Sequence, residues 1–140
     1  MSIVQPYLDD ARVLDLFAGS GALGLEALSR GARAVEFVEL SPRSLTSLRE
    51  NIRLLGADAD VIVHRGDALK FAGKLSAGDF DVAFADPPYR LGLAEELARR
   101  WTETPFAHVI GIEHEKSVTL PGSGDRRVYG DTVVTFYRIS

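Results

Sequence analysis

The sequence predicts an α/β protein of the Rossmann-like class, with a doubly wound, mostly parallel sheet and an antiparallel hairpin at its C-terminal edge. Two observations lead to this prediction. Short β-branched or apolar runs alternate with longer stretches of helical spacing, which is the pattern of right-handed βαβ units. The last run, residues 132–139, alternates between apolar and polar positions, as an edge hairpin does. We expect one domain over residues 1–140.

The first βαβ unit is predicted from apolar runs and glycine. Residues 12–16 (RVLDL) are expected to form a strand, followed by a helix over residues 24–30. Gly31 comes directly after that helix, at a position where glycine is common because it adopts the left-handed conformation easily. Residues 34–39 (AVEFVE) form the second predicted strand.

The second helix has a clear start and end in the sequence. Ser41 supplies an N-cap and Pro42 occupies the first helical position, where its missing N–H is not needed. Leucine and isoleucine then recur at spacings of three and four until Gly56. Three further strands are predicted over residues 61–63, 82–85 and 109–113.

Composition excludes several classes of protein. The 140 residues include no cysteine, so disulfide frameworks and thiolate metal sites are excluded. No apolar run approaches the roughly 20 residues that span a bilayer, and the N-terminus does not resemble a secretory signal, so we expect a cytoplasmic protein. The net charge of −4 counts against a nucleic-acid partner, because such proteins usually present a basic surface.

A glycine-rich turn follows the first predicted strand. Gly19, Gly21 and Gly24 have the spacing of dinucleotide-binding turns, which is a weak signal alone. Glu39, at the end of the second strand, is placed to accept hydrogen bonds from both hydroxyls of a ribose. Asp67 follows the third strand, where its carboxylate is expected either to accept from an adenine amino group or to cap a helix, roles that are compatible.

The expected charge of Asp15 helps to decide between two possible cofactors. We expect it one residue into the turn after the first strand, where a negative charge would repel the pyrophosphate of a dinucleotide. The same charge suits a ligand that carries an ammonium and a sulfonium group. S-adenosylmethionine is therefore favoured over a nicotinamide dinucleotide.

The most informative motif is Asp86-Pro87-Pro88-Tyr89, directly after a buried strand. Two prolines fix the backbone and remove two N–H donors, which leaves the Asp86 carboxylate and the Pro87 carbonyl as acceptors. These acceptors would hold the hydrogens of an exocyclic amine and stabilise the positive charge that develops on its nitrogen during attack on a methyl group. Tyr89 supplies an aromatic face for a base that has left its stack.

These motifs together resemble the RsmD family of bacterial 16S rRNA guanine-N2 methyltransferases. The run DLFAGSGALGLEALSRGA, followed by VE, GDA and DPPY, is similar almost throughout, and RVYGDT is similar to the family's closing hairpin. The resemblance implies a class I methyltransferase that uses S-adenosylmethionine. Members carry a basic N-terminal arm that this sequence lacks, so we expect cofactor binding more firmly than turnover.

The resemblance also implies roles for individual residues. The acceptor turn, Asp86, Pro87, Pro88 and Tyr89, would hold the guanine. The cofactor would be held by residues of the glycine-rich turn and of the two strand ends, namely Asp15, Phe17, Ala18, Gly19, Gly21, Glu39, Asp67 and Ala68. The expected partner is 16S rRNA or the small ribosomal subunit, with no membrane and no metal, and we expect a monomer.

Other interpretations remain open at this point. The same acceptor turn serves methyltransferases that act on adenine in DNA or on a glutamine amide. A domain that only binds the cofactor and relies on a partner for RNA is also compatible with the sequence, whereas a nicotinamide-dependent dehydrogenase would leave the acceptor turn unexplained.

Several other residues have less specific interpretations. The histidines show no metal-like grouping, and Trp101 is expected in the core. Phosphate contact and solvated surface are equally compatible with four arginines, Arg99, Arg100, Arg126 and Arg127. Arg90, beside the turn, is the first candidate for RNA contact.

Overall fold

The computed structural model describes residues 2–90 and 92–140. Within them, one mixed sheet contains the strands β1 (Arg12–Leu16), β2 (Ala34–Glu39), β3 (Val61–Arg65), β4 (Phe80–Ala85), β5 (Ala107–Glu115), β6 (Asp125–Tyr129) and β7 (Thr132–Arg138). The α-helices are α1 (Ala22–Ser29), α2 (Pro42–Leu54), α3 (Ala68–Gly73) and α4 (Leu93–Glu103). Short 3₁₀ turns cover Gln5–Tyr7 and Asp58–Asp60.

The strand order is β3-β2-β1-β4-β5-β7-β6, which confirms the predicted fold class. The strands from β3 to β5 are parallel, and β7 and β6 complete the sheet in antiparallel pairing. The chain moves outward in one direction from β1 through β2 to β3, then returns to the other side of β1 with β4. The carboxyl ends of β1 and β4 therefore flank the point where the strand order reverses, which is where such sheets bind ligands.

Several boundaries differ from the sequence prediction. Helix α1 begins at Ala22, two residues before the predicted start, because Gly21 takes the N-cap in a left-handed conformation with φ of 84°. Strand β5 has nine residues instead of the predicted five. It lies between β4 and β7, and hydrogen bonding on both sides extends it beyond its most apolar section.

Apolar clusters cover both faces of the sheet. On one face Leu14 and Leu16 pack with Leu97 and Trp101 of α4, and on the other Val13 and Phe37 pack with residues of α1 and α2. Trp101 is a core residue, as predicted, and its indole N–H donates to the carbonyl oxygen of Ala107 at 2.9 Å. None of the helices formed by the described residues is long and apolar enough to cross a membrane.

Candidate active site

The turn between β1 and α1 is shaped by glycine. Gly19 and Gly21 have φ values of 57° and 84°, in the left-handed region that side chains with a Cβ rarely adopt. A Cβ on Gly19 would meet no atom within 4 Å, so space beside this backbone is open to a ligand. Ala18 lies between β1 and this glycine pair, and its N–H donates to the Val38 carbonyl at 3.1 Å, which fixes the turn to the end of β2.

Gly24 serves packing instead of ligand approach. A Cβ at this position would lie 2.4 Å from the Phe37 ring and 2.9 Å from a methyl group of Val35. Helix α1 therefore rests against β2 at a distance that only glycine permits. The three glycines of the motif are thus required for different physical reasons. Of the three, only Gly19 borders open space.

Glu39 holds the two turns of this region together. One carboxylate oxygen accepts from the Gly19 N–H at 2.7 Å, and the other accepts from the N–H groups of Leu40 and Ser41 at 2.9 and 2.8 Å. A carboxylate offers about four acceptor positions, so about one remains free for a ligand. This count fits one ribose hydroxyl better than the two expected from the sequence.

Asp15 does not lie in the turn, so the predicted placement was wrong. It is the fourth residue of β1, only 3% exposed, and its carboxyl accepts from the Gly24 N–H at 3.0 Å. Burial is the main reason that the pKa of Asp15 is raised to about 8; the Gly24 hydrogen bond opposes the rise, and the nearby Asp86 and Glu39 add to it. Since the neutral acid predominates at pH 7, the charge argument against a pyrophosphate loses its force. The role of Asp15 toward a cofactor stays a prediction.

A cavity of about 460 Å³, here called the cofactor cavity, lies across the carboxyl ends of β1, β2 and β3. Four of the predicted cofactor residues line it: Phe17, Glu39, Asp67 and Ala68. Asp67 is also the N-cap of α3, where its side chain accepts from the Lys70 N–H at 3.0 Å. The helix-cap interpretation is therefore confirmed, and it leaves Asp67 at the cavity wall.

The acceptor turn, residues 86–89, follows β4 as predicted. Pro87 is buried, whereas Asp86, Pro88 and Tyr89 are exposed, and the Pro88 carbonyl accepts from the Arg90 N–H at 2.7 Å to close the turn. Pro88 and Arg90 also line the cofactor cavity. Through Pro88, the turn therefore borders the same cavity as Glu39 and Asp67.

Glu113 is a site residue that the sequence analysis missed. It lies near the carboxyl end of β5, and its carboxyl is within hydrogen-bonding reach of Asp86. This hydrogen bond, then burial, and then the Asp86 charge raise the pKa of Glu113 to about 7. The predicted fifth strand ended at this glutamate, but only the strand order shows that β5 is the neighbour of β4.

A second cavity of about 460 Å³ lies on the other side of Asp86, toward the C-terminal hairpin, and is here called the outer groove. Leu23, Asp86, Glu113 and Tyr129 are among its lining residues. Tyr129, at the end of β6, is 52% exposed and was not singled out from the sequence. Tyr89, which the sequence analysis did single out, lines a smaller cavity behind the turn, together with Glu113.

The other polar residues considered have mostly structural contacts. Arg100 donates to the carbonyl oxygens of Ala72, Gly73 and Leu75, so it ties α4 to the end of α3. Arg127 pairs with Asp125, and Arg126 donates to the Lys116 carbonyl. Residues 2–90 and 92–140 contain no group of three or more histidine, aspartate or glutamate side chains arranged to hold a metal ion.

Sequence comparison finds relatives along most of the chain. The family model described as Conserved hypothetical protein 95 matches residues 1–138. YlbH of Bacillus subtilis is 36% identical, over 98% of this chain and 80% of its own length. Proteins named ribosomal RNA small subunit methyltransferase D are 29% identical in Haemophilus influenzae and 32% identical in Buchnera aphidicola; this chain covers 74% of the former and 64% of the latter.

Solved structures share the architecture. The Thermus thermophilus hypothetical protein TTHA0928 superposes with a TM-score of 0.80 at 33% identity, over 99% of this chain and 81% of that one. An RNA methyltransferase from Salinibacter ruber, solved with S-adenosyl-L-homocysteine, has a TM-score of 0.73 over 99% of this chain and 88% of its own. At 14% identity the second likeness shows the fold alone.

Proposed function

The chain belongs to the Conserved hypothetical protein 95 family, the RsmD family, and on that premise we propose that it is an rRNA methyltransferase. More specifically, we propose transfer of a methyl group from S-adenosylmethionine to the exocyclic N2 amine of a guanine in 16S rRNA. The names of the Haemophilus and Buchnera relatives support an rRNA substrate. The choice of a guanine amine rests on the resemblance seen in the sequence.

One observation carries the proposal more than any other. Pro88 of the acceptor turn and the adjacent Arg90 line the same cavity as Glu39 and Asp67. A molecule held by the two carboxylates would therefore lie in a cavity that also borders Pro88, two residues after Asp86. Holding two reactants in this relation is the main contribution that an enzyme makes to a direct displacement.

The residues of the cofactor cavity fit S-adenosylmethionine. Its volume of about 460 Å³ lies within the roughly 300–1,000 Å³ that is usual for small-molecule sites. Phe17 and Leu69 offer apolar surface for an adenine, Asp67 an acceptor for its amino group, and Glu39 an acceptor for a ribose hydroxyl. A Cβ on Gly19 would meet no atom within 4 Å, so the backbone there is open to the approach of the rest of the molecule.

The acceptor turn supplies the rest of the chemistry. When bound, S-adenosylmethionine provides a methyl group on a positively charged sulfur. Asp86 and the Pro87 carbonyl accept the two hydrogens of the target amine and stabilise the positive charge that forms on its nitrogen. Asp86 then accepts the proton that this nitrogen releases once it carries the methyl group. Tyr89 or Tyr129 provides the aromatic surface against which the extruded base stacks.

The test begins with the cofactor. Calorimetric titration of the chain with S-adenosylmethionine, S-adenosylhomocysteine and NAD should show binding of the first two and none of the third. Transfer of a tritiated methyl group to 16S rRNA, naked and within the small subunit, should then yield N2-methylguanine on nucleoside analysis. Labelling of adenine or of a protein glutamine would contradict the guanine assignment, and binding of NAD alone would contradict the methyltransferase.

A further inference from the structure

Asp86 and Glu113 lie side by side at the ends of two neighbouring parallel strands. Ala85 of β4 is opposite Ile112 of β5, so the next residues along the two chains are Asp86 and Glu113. Both line the outer groove, and Glu113 also lines the smaller cavity behind the acceptor turn, together with Pro87 and Pro88. Glu113 and the turn therefore border one cavity, and Glu113 does not line the cofactor cavity.

Two carboxyl groups that lie side by side can share a proton. A second negative charge is unfavourable next to the first, so Glu113 retains its proton to a higher pH than it would without Asp86 beside it. Asp86 is exposed at the groove, whereas Glu113 is partly buried against β7. The proton therefore resides mainly on Glu113, in agreement with the raised pKa of that residue.

We propose that Glu113 is a positioning residue for methyl transfer, whose protonated carboxyl donates a hydrogen bond to one oxygen of Asp86. This bond fixes the plane of the Asp86 carboxylate and leaves the other oxygen for the target amine. Glu113 itself forms no contact with either reactant. The inference rests on the proposed function, since it concerns the same acceptor turn.

Other charged and titratable groups surround the pair. The acceptor turn contributes Tyr89 and Arg90, α4 contributes Glu95, β6 contributes Tyr129, and β5 itself adds His114 and Glu115. The Arg90 cation opposes the uptake of a proton by Glu113, whereas the acids favour it. Because Asp86 is the partner that bonds Glu113 directly, it has the largest effect on this group.

The hydrogen bond predicts an alkaline limb in the rate of transfer. Above pH 7 Glu113 loses its proton, the donor disappears, and a second negative charge faces Asp86. The rate of methyl transfer should fall with a midpoint near the pKa of Glu113, about 7, and at most tenfold per pH unit. Glu113→Gln has nearly the same shape and keeps an N–H donor at every pH, so this variant should retain transfer and lose the alkaline limb.

The experiment compares single-turnover rates of rRNA methylation from pH 5.5 to 9 in four proteins. Wild type and the control Glu115→Gln, which removes an acid two positions along β5, should both show the limb. Glu113→Gln should be flat, and Glu113→Ala should be slow throughout while binding S-adenosylmethionine with unchanged affinity. A limb that persists in Glu113→Gln, or a loss in Glu113→Gln as deep as in Glu113→Ala, overturns the proposal.

A second readout is independent of activity. Carbon-13 NMR of the Glu113 side-chain carboxyl should give a titration midpoint near 7 in wild type and a lower midpoint in Asp86→Asn, where only burial still raises the pKa. A normal midpoint in wild type overturns the shared proton. If wild type methylates no rRNA, the proposed function itself fails, and Glu113 loses its positioning role with it. If wild type is active and only the pH profiles disagree, the function stands and the role of Glu113 alone is rejected.

Discussion

The two halves of the sheet treat their polar groups differently. Beside β1, β2 and β3, three acids at or near the strand ends are already bonded to backbone N–H groups: Glu39 to three of them, Asp15 to Gly24 and Asp67 to Lys70. In the half formed by β5, β7 and β6, Glu113 faces another acid, and all five residues of β6 are exposed. The acids of the cofactor side are thus held in place by the backbone, whereas the substrate side presents Glu113 next to another acid and an exposed edge strand.

The largest effect, on the pH dependence of stability, is expected from Asp15. It tests whether the acids near the ends of β1, β2 and β3 are held in the state described above. Because burial raises the pKa of Asp15 from 3.8 to about 8, the folded protein keeps a proton that the unfolded chain releases. The stability this group contributes is present below about pH 4 and is lost as the pH rises to about 8, by at most about 1.4 kcal/mol per unit. Urea unfolding of wild type should show this loss of several kcal/mol.

Asp15→Asn removes the titration and should flatten the pH dependence. Asp60→Asn, at an exposed position, is the matched control and should behave like wild type. If Asp15→Asn lowers the free energy of unfolding equally at pH 5 and pH 8, the Asp15 carboxyl does not titrate in this range and is ionised in the native protein. The two halves of the sheet would then differ less in how they hold their acids.

Asp86→Ala should have the next largest effect and should separate the two halves functionally. Loss of one preorganised stabilising group from an active site typically slows the chemical step by about 10²- to 10³-fold. Calorimetric affinity for S-adenosylmethionine should stay unchanged, because Asp86 lies in the outer groove and does not line the cofactor cavity. Asp86→Asn, which keeps one acceptor oxygen, should lose less. Transfer by Asp86→Ala at the parent rate would refute the mechanism.

Glu39→Ala should have the opposite effect, weakening cofactor affinity while leaving the transfer rate nearly unchanged. The change in free energy should be smaller than for Asp86→Ala. Loss of a charge-assisted hydrogen bond weakens cofactor affinity by about 1–3 kcal/mol, and the loss of three bonds to the Gly19 and Ser41 turns lowers the melting temperature as well. The rate at saturating cofactor should change little. Glu36→Ala, on the same strand but paired with His64, should leave calorimetric affinity intact. Equal affinities in wild type and Glu39→Ala would remove Glu39 from the site.

Arg90→Ala should have the smallest effect, on the salt dependence of rRNA binding. It tests to which side of the site Arg90 belongs, because Arg90 lines both the cofactor cavity and the smaller cavity behind the turn. If it neutralises one phosphate, the slope of log affinity for rRNA against log salt should decrease by about 1. Filter binding at several salt concentrations measures this slope, with Arg43→Ala on the exposed start of α2 as control. An unchanged slope would assign Arg90 to the cofactor side alone.

The sequence is sufficient to predict the parallel half of the molecule. The glycine turn, the Ser41-Pro42 helix start and the strand before Asp86 each depend on contacts between residues close in the chain, and they appear where predicted. Asp15 was misplaced because burial at a strand end depends on α1 packing above it. Glu113 and Tyr129 were missed because their positions beside Asp86 follow from the order β4-β5-β7-β6, which no local pattern encodes.

The position of β7 between β5 and β6 has a consequence for how the protein is made. Strand β5 carries Val109, Ile110 and Ile112, which are buried in the finished sheet, and its outer edge is covered only by β7. During synthesis this apolar edge emerges first and waits, unpaired, until the later strand has left the ribosome. Until β7 pairs with it, this edge is therefore exposed to a chaperone or to pairing with another nascent chain.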